Sequence, residues 1–577
     1  MVSSRASQPH NAMPSDSLSQ PFVSNFSPAA ESGSQALFLI RDARWIVGAT
    51  LLYLVAVVAT VFTLHAYFSQ TWDVVTFIGA GKTILSPEWN TLYGQSRAAN
   101  YWPYAYPPLH AFVVAPFLAL SWLAPDFLLV RVPPMLFDVA LGVLLYAIVA
   151  RKTKNKILAR LAMLVWLLNP VTWYDTAVQG HFEAEWLFFV VLAYYLSPDP
   201  SPTRRGEMDL ISDLSLTRRG EMDISPDLSP TRRGSWIFAM LALSVAFLFK
   251  QNAILFALPL WAMMLFGTNT PSFLRRGVSF LVSLVVFSLP ILLVSLPFVL
   301  YSNDYWYMNV QYVADVPLQT QSWLVALAGL FGADNLFLRA SSPLTLIAVV
   351  VISIVAARRG MNVWLTATLI VLAFFLLSKK VVGYYYVMLL PFALVTLVPT
   401  KHFRLLSLIV VFISFVSLSP YFASWTNPSH VWWYSALGIF NSAVWAWIFV
   451  RLWRGIGSKE SGEMRELAFL SFALFLSAVA AALLQPFINS QASPIRAPLI
   501  ANGMETQALF SFLAFSFLVS LALIIAVFFT RSLARAIPVP KRTYALVVLL
   551  APLYFLTFTL TKESTMVFEL ILGFFNS

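Results

Sequence analysis

Residues 45–67 read WIVGATLLYLVAVVATVFTLHAY, 23 positions without a single Asp, Glu, Lys or Arg. A hydrocarbon layer about 30 Å thick takes roughly 20 apolar helical residues to cross. Inside lipid the backbone must satisfy its own N–H and C=O groups, so a single crossing segment is helical. Apolar runs of similar length recur to the end of the chain. Of the 577 residues, 59% are hydrophobic and 11% charged, against about 25% charged in a soluble domain. So few charges cannot coat a soluble body of this size. The composition excludes a soluble globular enzyme and a disordered chain. The lack of cysteine excludes a disulfide scaffold and thiolate metal sites. The chain reads as an all-α polytopic membrane protein, and its 19 Trp, 21 Tyr and 48 Phe suit aromatic belts at two interfaces.

The net charge of +11 reports basic cytoplasmic loops and gives no reason to expect a nucleic-acid partner. After the first span, the stretch 68–107 holds only Lys82 and Arg97 as bases. Bases then cluster at Arg151/Lys152/Lys154/Lys156, Arg275/Arg276, Arg358/Arg359, Lys401/Arg404, Arg451/Arg454/Lys459 and Arg531/Arg535/Lys541/Arg542. With every cluster inside, the intervening spans come out in pairs, and 68–107, 298–340, 421–432 and 488–505 face outside. The expectation is a bundle of roughly 12–15 transmembrane helices with juxtamembrane helices in the first outer loop. The stretches 109–124 and 564–576 read as spans or as short interfacial helices. Residues 1–40 read as a disordered cytoplasmic tail. Residues 198–234 read as a disordered cytoplasmic insertion, in which Thr203-Arg-Arg-Gly-Glu-Met-Asp209 recurs at Thr217–Asp223 and begins again at Thr231.

Ionisable groups at membrane depth or at the mouth of a cavity carry the chemical information, because they are costly there. Asp73, just past the first span, reads as a general base or cation ligand, or as a solvated loop acid or N-cap of a helix at 74–85. Tyr104-Ala-Tyr106-Pro107-Pro108-Leu109 leads the chain into a helix through two prolines, with aromatics able to stack on a sugar or to sit in the interface belt. Asn169-Pro170 and Gln179-Gly180-His181-Phe182-Glu183-Ala184-Glu185 put an imidazole, an amide and two carboxylates at one outer turn. His181 and Glu185, four apart, share a face if the helix has begun. Lys250-Gln251 and Lys379-Lys380, the latter before Gly383-Tyr384-Tyr385-Tyr386, are outer-face cations that suggest an anionic partner such as a phosphate, or snorkel to headgroups. Asp138, inside a helix at 134–150, reads as structural, pairing with Arg131 or capping a neighbour. No Walker loop and no nucleophile elbow is present.

The order of these motifs resembles the GT-C superfamily of integral-membrane glycosyltransferases over about residues 40–400. The motifs are Asp73, Tyr106-Pro107-Pro108-Leu109, the Asp138 helix ending in bases, Asn169-Pro170, Gly180-x-x-Glu183, Lys250 before Pro259, and Lys380 with Tyr385 before Leu390-Pro391. The resemblance is closest to the polyprenol-phosphate-mannose-dependent mannosyltransferases of the bacterial α-mannosyltransferase and GPI mannosyltransferase I types. It implies a GT-C-like catalytic module at 41–400, with residues 401–577 as additional C-terminal helices. It implies an inverting transfer of a hexose, mannose by preference, from a polyprenyl-phosphate-sugar donor to an acceptor hydroxyl on a glycolipid, glycan or protein, at the outer face of a prokaryotic plasma membrane. By that match Asp73 is the base. Lys379 or Lys380, with Lys250, neutralises the leaving phosphate. Tyr106, Gln179, His181, Glu183, Gln251 and Tyr385 bind substrate. Two departures stand out. Thr71 replaces the first acid of the Asp-x-Asp found in GPI-type enzymes, which leaves a divalent cation open, and Glu183 stands where relatives often have Asp. No other cofactor is implied. A transporter or flippase for lipid-linked saccharides is the alternative, as is a non-catalytic scaffold. A transporter needs charges near the midplane, and these lie at one face.

Overall fold

The structure is a computed structural model, and it describes residues 45–63, 72–98, 103–197, 230–267, 273–332, 336–419, 422–423, 431–455, 463–489 and 540–562. The chain divides after Val47 into two compact units, and the larger, Gly48–Ser577, holds every candidate site residue. The described residues are almost wholly helical. Among the described residues, eight helices are long and apolar enough to cross a membrane, and six shorter apolar helices accompany them. This is an all-α integral membrane protein. The outer surface says the same. In Leu274–Tyr301 only 11% of the most apolar window is buried, and Leu274 and Leu300 are more than three-quarters exposed. Such a face is tolerable in lipid and costly in water. The expected tail at 1–40, the first two repeats, the stretch 564–576 and much of 401–577 lie outside the described residues. Of the expected insertion, the last residues, from Pro230, already belong to helix Pro230–Phe249.

Helix Val132–Thr153 spans 22 residues, about 33 Å at 1.5 Å per residue. It ends in Arg151 and Lys152, and Lys154 turns the chain with a left-handed φ of 53°. Asn155 then caps the returning helix Lys156–Leu167, its side chain accepting from Ile157 N (2.9 Å) and Leu158 N (3.2 Å). The basic turn is therefore at one end of the bundle, and the turn at 179–185 is at the other.

The candidate span Lys156–Gln179 is not one regular helix. It breaks at Asn169-Pro170, where proline cannot donate to the preceding turn. Asn169 caps the next turn by accepting from Val171 N (2.9 Å) and donates to Ser471 Oγ (3.3 Å). The segment finishes as a π-helix, Tyr174–Gln179. Asn169-Pro170 is thus a buried break within a span and not part of the turn at 179–185, contrary to the sequence expectation.

The first loop contains the expected juxtamembrane helices, Trp72–Leu85 and Leu92–Ala98, joined through the 3₁₀ turn Trp89–Thr91. Pro107-Pro108 leads into Leu109–Leu118, a short helix of 10 residues. The first loop packs on the segment 302–315. Arg97 pairs with Asp304 (2.7 Å) and lies 3.8 Å over the Tyr307 ring, and Tyr93 meets Tyr305 edge-on at 5.0 Å. Among the described residues, three two-residue strands form a small clasp. Gln319–Thr320 pairs in parallel with Lys380–Val381 and antiparallel with Phe422–Ala423. This clasp holds the lysine pair against the 302–320 segment.

Candidate functional site

Helix Trp72–Leu85 carries Asp73 in its first turn, where the helix dipole favours a carboxylate. It is neither a loop residue nor an N-cap. Gly180 brings His181 up to it. The π-helix ends at Gly180 with φ 64°, a conformation that suits glycine. A Cβ there would sit 2.5 Å from Val74 Cγ2 and 3.1 Å from the Arg131 guanidinium. Gly180→Ala is therefore expected to lower stability by about 1–3 kcal/mol and to displace the Asp73 helix. Thermal unfolding in detergent, measured beside activity, checks this.

His181 sits between two carboxylates. Its Nε2 is 3.3 Å from Asp73 Oδ2 and its Nδ1 is 3.6 Å from Glu183 Oε1. Glu183 opens helix Glu183–Leu196, so His181 precedes the helix and does not share a face with Glu185. Glu183 is ion-paired with Lys250 and accepts from Trp186 Nε1 (2.5 Å). His181 and Glu183 are wholly buried and Lys250 nearly so, while 24% of the Asp73 side chain is open to solvent. Of this chain of four groups, Asp73 is the one a substrate can reach.

Its ionisation follows from its neighbours. Burial alone would raise the Asp73 carboxyl, but His181, then Lys380 and Lys250, hold it below the usual carboxylate range. Burial pushes the His181 imidazole below its ordinary value despite Asp73 and Glu183. At neutral pH Asp73 is ionised and His181 neutral. Burial opposes the Lys250 charge, but Glu183, then Tyr385, raise its affinity for the proton above that of an ordinary lysine.

Aromatic rings fix the imidazole. His110, Phe182, His181 and Tyr384 form a column of near-parallel rings, with successive centroids 3.9, 5.6 and 3.8 Å apart and planes within 20°. Phe77 packs edge-on against His110, His181 and Phe182. The Lys250 ammonium lies over Tyr385 (4.5 Å) and within 6 Å of the Tyr106, Phe182 and Tyr384 ring centres.

The other expected residues divide in two. Gln251 joins the first loop to the 302–315 segment, donating to Ala105 O (3.2 Å) and Asn309 Oδ1 (2.9 Å). Gln179 donates to Tyr174 Oη (2.6 Å). Lys379 donates to Ala314 O (2.6 Å), and Lys380 is close enough for its charge to act on Asp73. Tyr106 and Tyr385 are buried, at 8% and 5%. Lys250, expected as a free outer cation, is instead buried and neutralised by Glu183. Asp138 does not pair with Arg131. It accepts from Tyr53 Oη and from Thr176 Oγ1 (2.6 Å), while Arg131 donates to the Thr176 (3.2 Å) and Phe127 (2.6 Å) carbonyls. Asp138 thus joins Tyr53 to Thr176 inside the bundle, in place of the expected partner Arg131.

Sequence reasoning missed the buried pair His110 Nδ1–Glu185 Oε2 (2.9 Å) and the buried Asp175, whose backbone carbonyl accepts the His181 backbone N–H (3.0 Å). The signal was available, since any His or Asp in an apolar helix is costly without a role. Among the described residues no three His, Asp or Glu side chains converge as metal ligands, and the two nitrogens of His181 face different carboxylates. A cation held by protein side chains alone does not fit this donor set. Compared with protein-family models and with curated protein sequences, the chain matches none.

Proposed function

We propose that the chain is an integral-membrane glycosyltransferase that moves a hexose from a polyprenyl-phosphate carrier to an acceptor hydroxyl, with inversion. The observation that carries this reading is Asp73, a solvent-reachable ionised carboxylate backed by a buried neutral imidazole, with Lys380 nearby. A general base needs that exposure and that ionisation. Asp73 takes the proton of the acceptor hydroxyl as its oxygen bonds to C1 of the sugar. The C1–O bond to phosphate breaks on the opposite face, and its electron pair leaves with the lipid phosphate. Lys380, with Lys379 beside it, meets that developing charge. The burial of His181, Glu183 and Lys250 suits them to holding Asp73, a different role from the sugar and phosphate contacts the family resemblance implies. Mannose remains the preferred hexose on the resemblance alone.

By the positive-inside rule the end bearing Arg151 and Lys152 is cytoplasmic, so the reaction faces outside. Clustering of the charged groups at one end favours an enzyme over a flippase, which needs access from both sides. A donor panel tests the assignment. Transfer is expected from polyprenyl-phosphate-mannose or another polyprenyl-phosphate hexose. If all such donors are inert while the purified protein moves lipid-linked saccharide between the leaflets of proteoliposomes, the transferase reading fails.

Lys380→Met is expected to raise KM for the lipid-phosphate donor about tenfold, the loss of one charge-assisted contact, and to leave acceptor KM near its original value. The pH–rate profile has its acid limb below the range of an ordinary carboxylate, because rate requires ionised Asp73 and its proton affinity is lowered. His181→Phe keeps the ring column but removes the imidazole facing Asp73, so the acid limb moves to higher pH.

A further inference from the structure

The π-helix Tyr174–Gln179 delivers His181 to Asp73, and a π-helix is rare enough that something must hold it. In an α-helix the Gly180 amide would bond the Thr176 carbonyl, four positions back. Here the amides of Gly180 and His181 both close on the Asp175 carbonyl, the second at 3.0 Å. The turn therefore holds one residue more than an α-turn. Thr176 is wholly buried, and a buried carbonyl that loses its amide needs another donor. Arg131 Nε supplies it at 3.2 Å, while Arg131 Nη1 is anchored on the Phe127 carbonyl (2.6 Å). The Thr176 hydroxyl donates to Asp138 Oδ2 (2.6 Å), which also accepts from Tyr53 Oη of the first span. Trp166 Nε1 donates to the Asp138 carbonyl (2.9 Å) and steadies that acid. Arg131 caps helix Val132–Thr153 and Asp138 lies seven positions on, about two turns, so both reach Thr176 from one face. Gln179 donates to Tyr174 Oη (2.6 Å), a contact between side chains five apart that suits the π register.

We propose that Arg131 and Asp138 are positioning residues for Asp73: they clasp Thr176 by its carbonyl and its hydroxyl, and so hold the turn in the π register that sets His181 against Asp73. Among the described residues no hydrogen bond or ion pair of either reaches Asp73, so both act through His181. With the Arg131 donor gone, the Thr176 carbonyl is free for the Gly180 amide and the turn can shed its extra residue. His181 is then rotated by about 100° around the helix axis, the step of one residue, and leaves its 3.3 Å approach to Asp73. The clasp also accounts for a buried guanidinium and a buried carboxylate on one helix face that bond a third residue and not each other. Calling Asp73 a base rests on the transferase reading, whereas the link from Thr176 to the His181–Asp73 contact does not.

The contact can be read without turnover. NMR of the detergent-solubilised full chain, labelled at histidine, follows the His181 imidazole, one of 6 histidines, assigned by its loss in His181→Phe. Asp73→Asn is expected to move that resonance in the natural protein and in Thr176→Ser, which keeps the hydroxyl. In Thr176→Val and in Arg131→Met the same substitution is expected to leave it in place. Turnover adds a second readout. The acid limb of the pH–rate profile moves up in Thr176→Val and Arg131→Met as it does in His181→Phe, and adding His181→Phe to either moves it no further. Lys250 and Lys380, the other charges that act on Asp73, are unaltered in these variants. A role in stability alone would lower the amount of folded protein and leave the limb where it was. If both variants fold, judged by thermal unfolding, and the His181 resonance still answers fully to Asp73→Asn, the proposal is overturned. No answer in the natural protein overturns it as well. If one variant fails to fold, the other decides alone. If neither folds, the clasp serves folding only and the proposal falls. If His181 uncouples from Asp73 as expected but no lipid-phosphate donor is used, the positioning stands and the transferase reading falls. If transfer needs Asp73 and the acid limb is unmoved in Thr176→Val, the positioning falls and the transferase reading stands.

Discussion

Glu183→Gln is expected to lower the stability of the protein by about 3–5 kcal/mol, the cost of leaving one member of a buried ion pair unmatched. The Glu183 side chain is 0% exposed and that of Lys250 3%, so water cannot replace the lost carboxylate. The remaining neighbours of the ammonium are mainly ring faces, of which Tyr385 at 4.5 Å is the closest. A cation–π contact is worth about 0.5–2 kcal/mol and cannot offset that loss. Trp186 Nε1, which donates to Glu183 Oε2 at 2.5 Å, also loses a charged acceptor. The double variant Glu183→Gln with Lys250→Met is expected to recover most of the stability, because the unmatched charge is then gone. Unfolding of both variants in one detergent, followed by tryptophan fluorescence, measures the difference. A single variant as stable as the natural protein would show that the pair is not closed in solution.

Asp73→Asn is expected to act on rate and leave the fold intact. Loss of a general base costs about 10²–10⁴ in kcat, or about 3–5 kcal/mol in the barrier. Asn keeps the shape of Asp, and its side chain can stay 3.3 Å from His181 Nε2 as Asp73 does. It cannot take a proton. Its side chain is part-exposed, so the structural cost is small, and acceptor KM should change little because the carboxylate acts mainly in the transition state. The two variants thus separate: Glu183→Gln shows first in unfolding and Asp73→Asn first in turnover.

The membrane fold is legible in the sequence because composition and the period of basic clusters are global signals. Lipid leaves one backbone solution, and the loops between spans carry the sign of their side. The placement of Asp73 beside His181 is only partly legible. Both residues stand out, but their 3.3 Å approach depends on a left-handed glycine that ends a π-helix, and hydropathy carries no trace of that. Lys250 misleads for a related reason. Its place between two apolar helices is legible from hydropathy, but its burial against Glu183, 67 positions earlier, is a tertiary fact. Asn169-Pro170 suggests a turn because a proline reads as a boundary, although a span can break and continue when an Asn caps the next segment. The resemblance points to Tyr385, whereas packing buries Tyr385 and leaves Tyr384 part-exposed.

The role of Asp73 as base of a sugar transfer from a lipid phosphate is open to a direct measurement. Single-turnover transfer of labelled mannose from polyprenyl-phosphate-mannose to membrane acceptors would be followed for the natural protein and for Asp73→Asn, at matched amounts of folded protein. Transfer by the natural protein, slowed at least about a hundredfold in Asp73→Asn with donor binding retained, is the predicted result. Transfer at an undiminished rate in Asp73→Asn would mean that Asp73 is not the base.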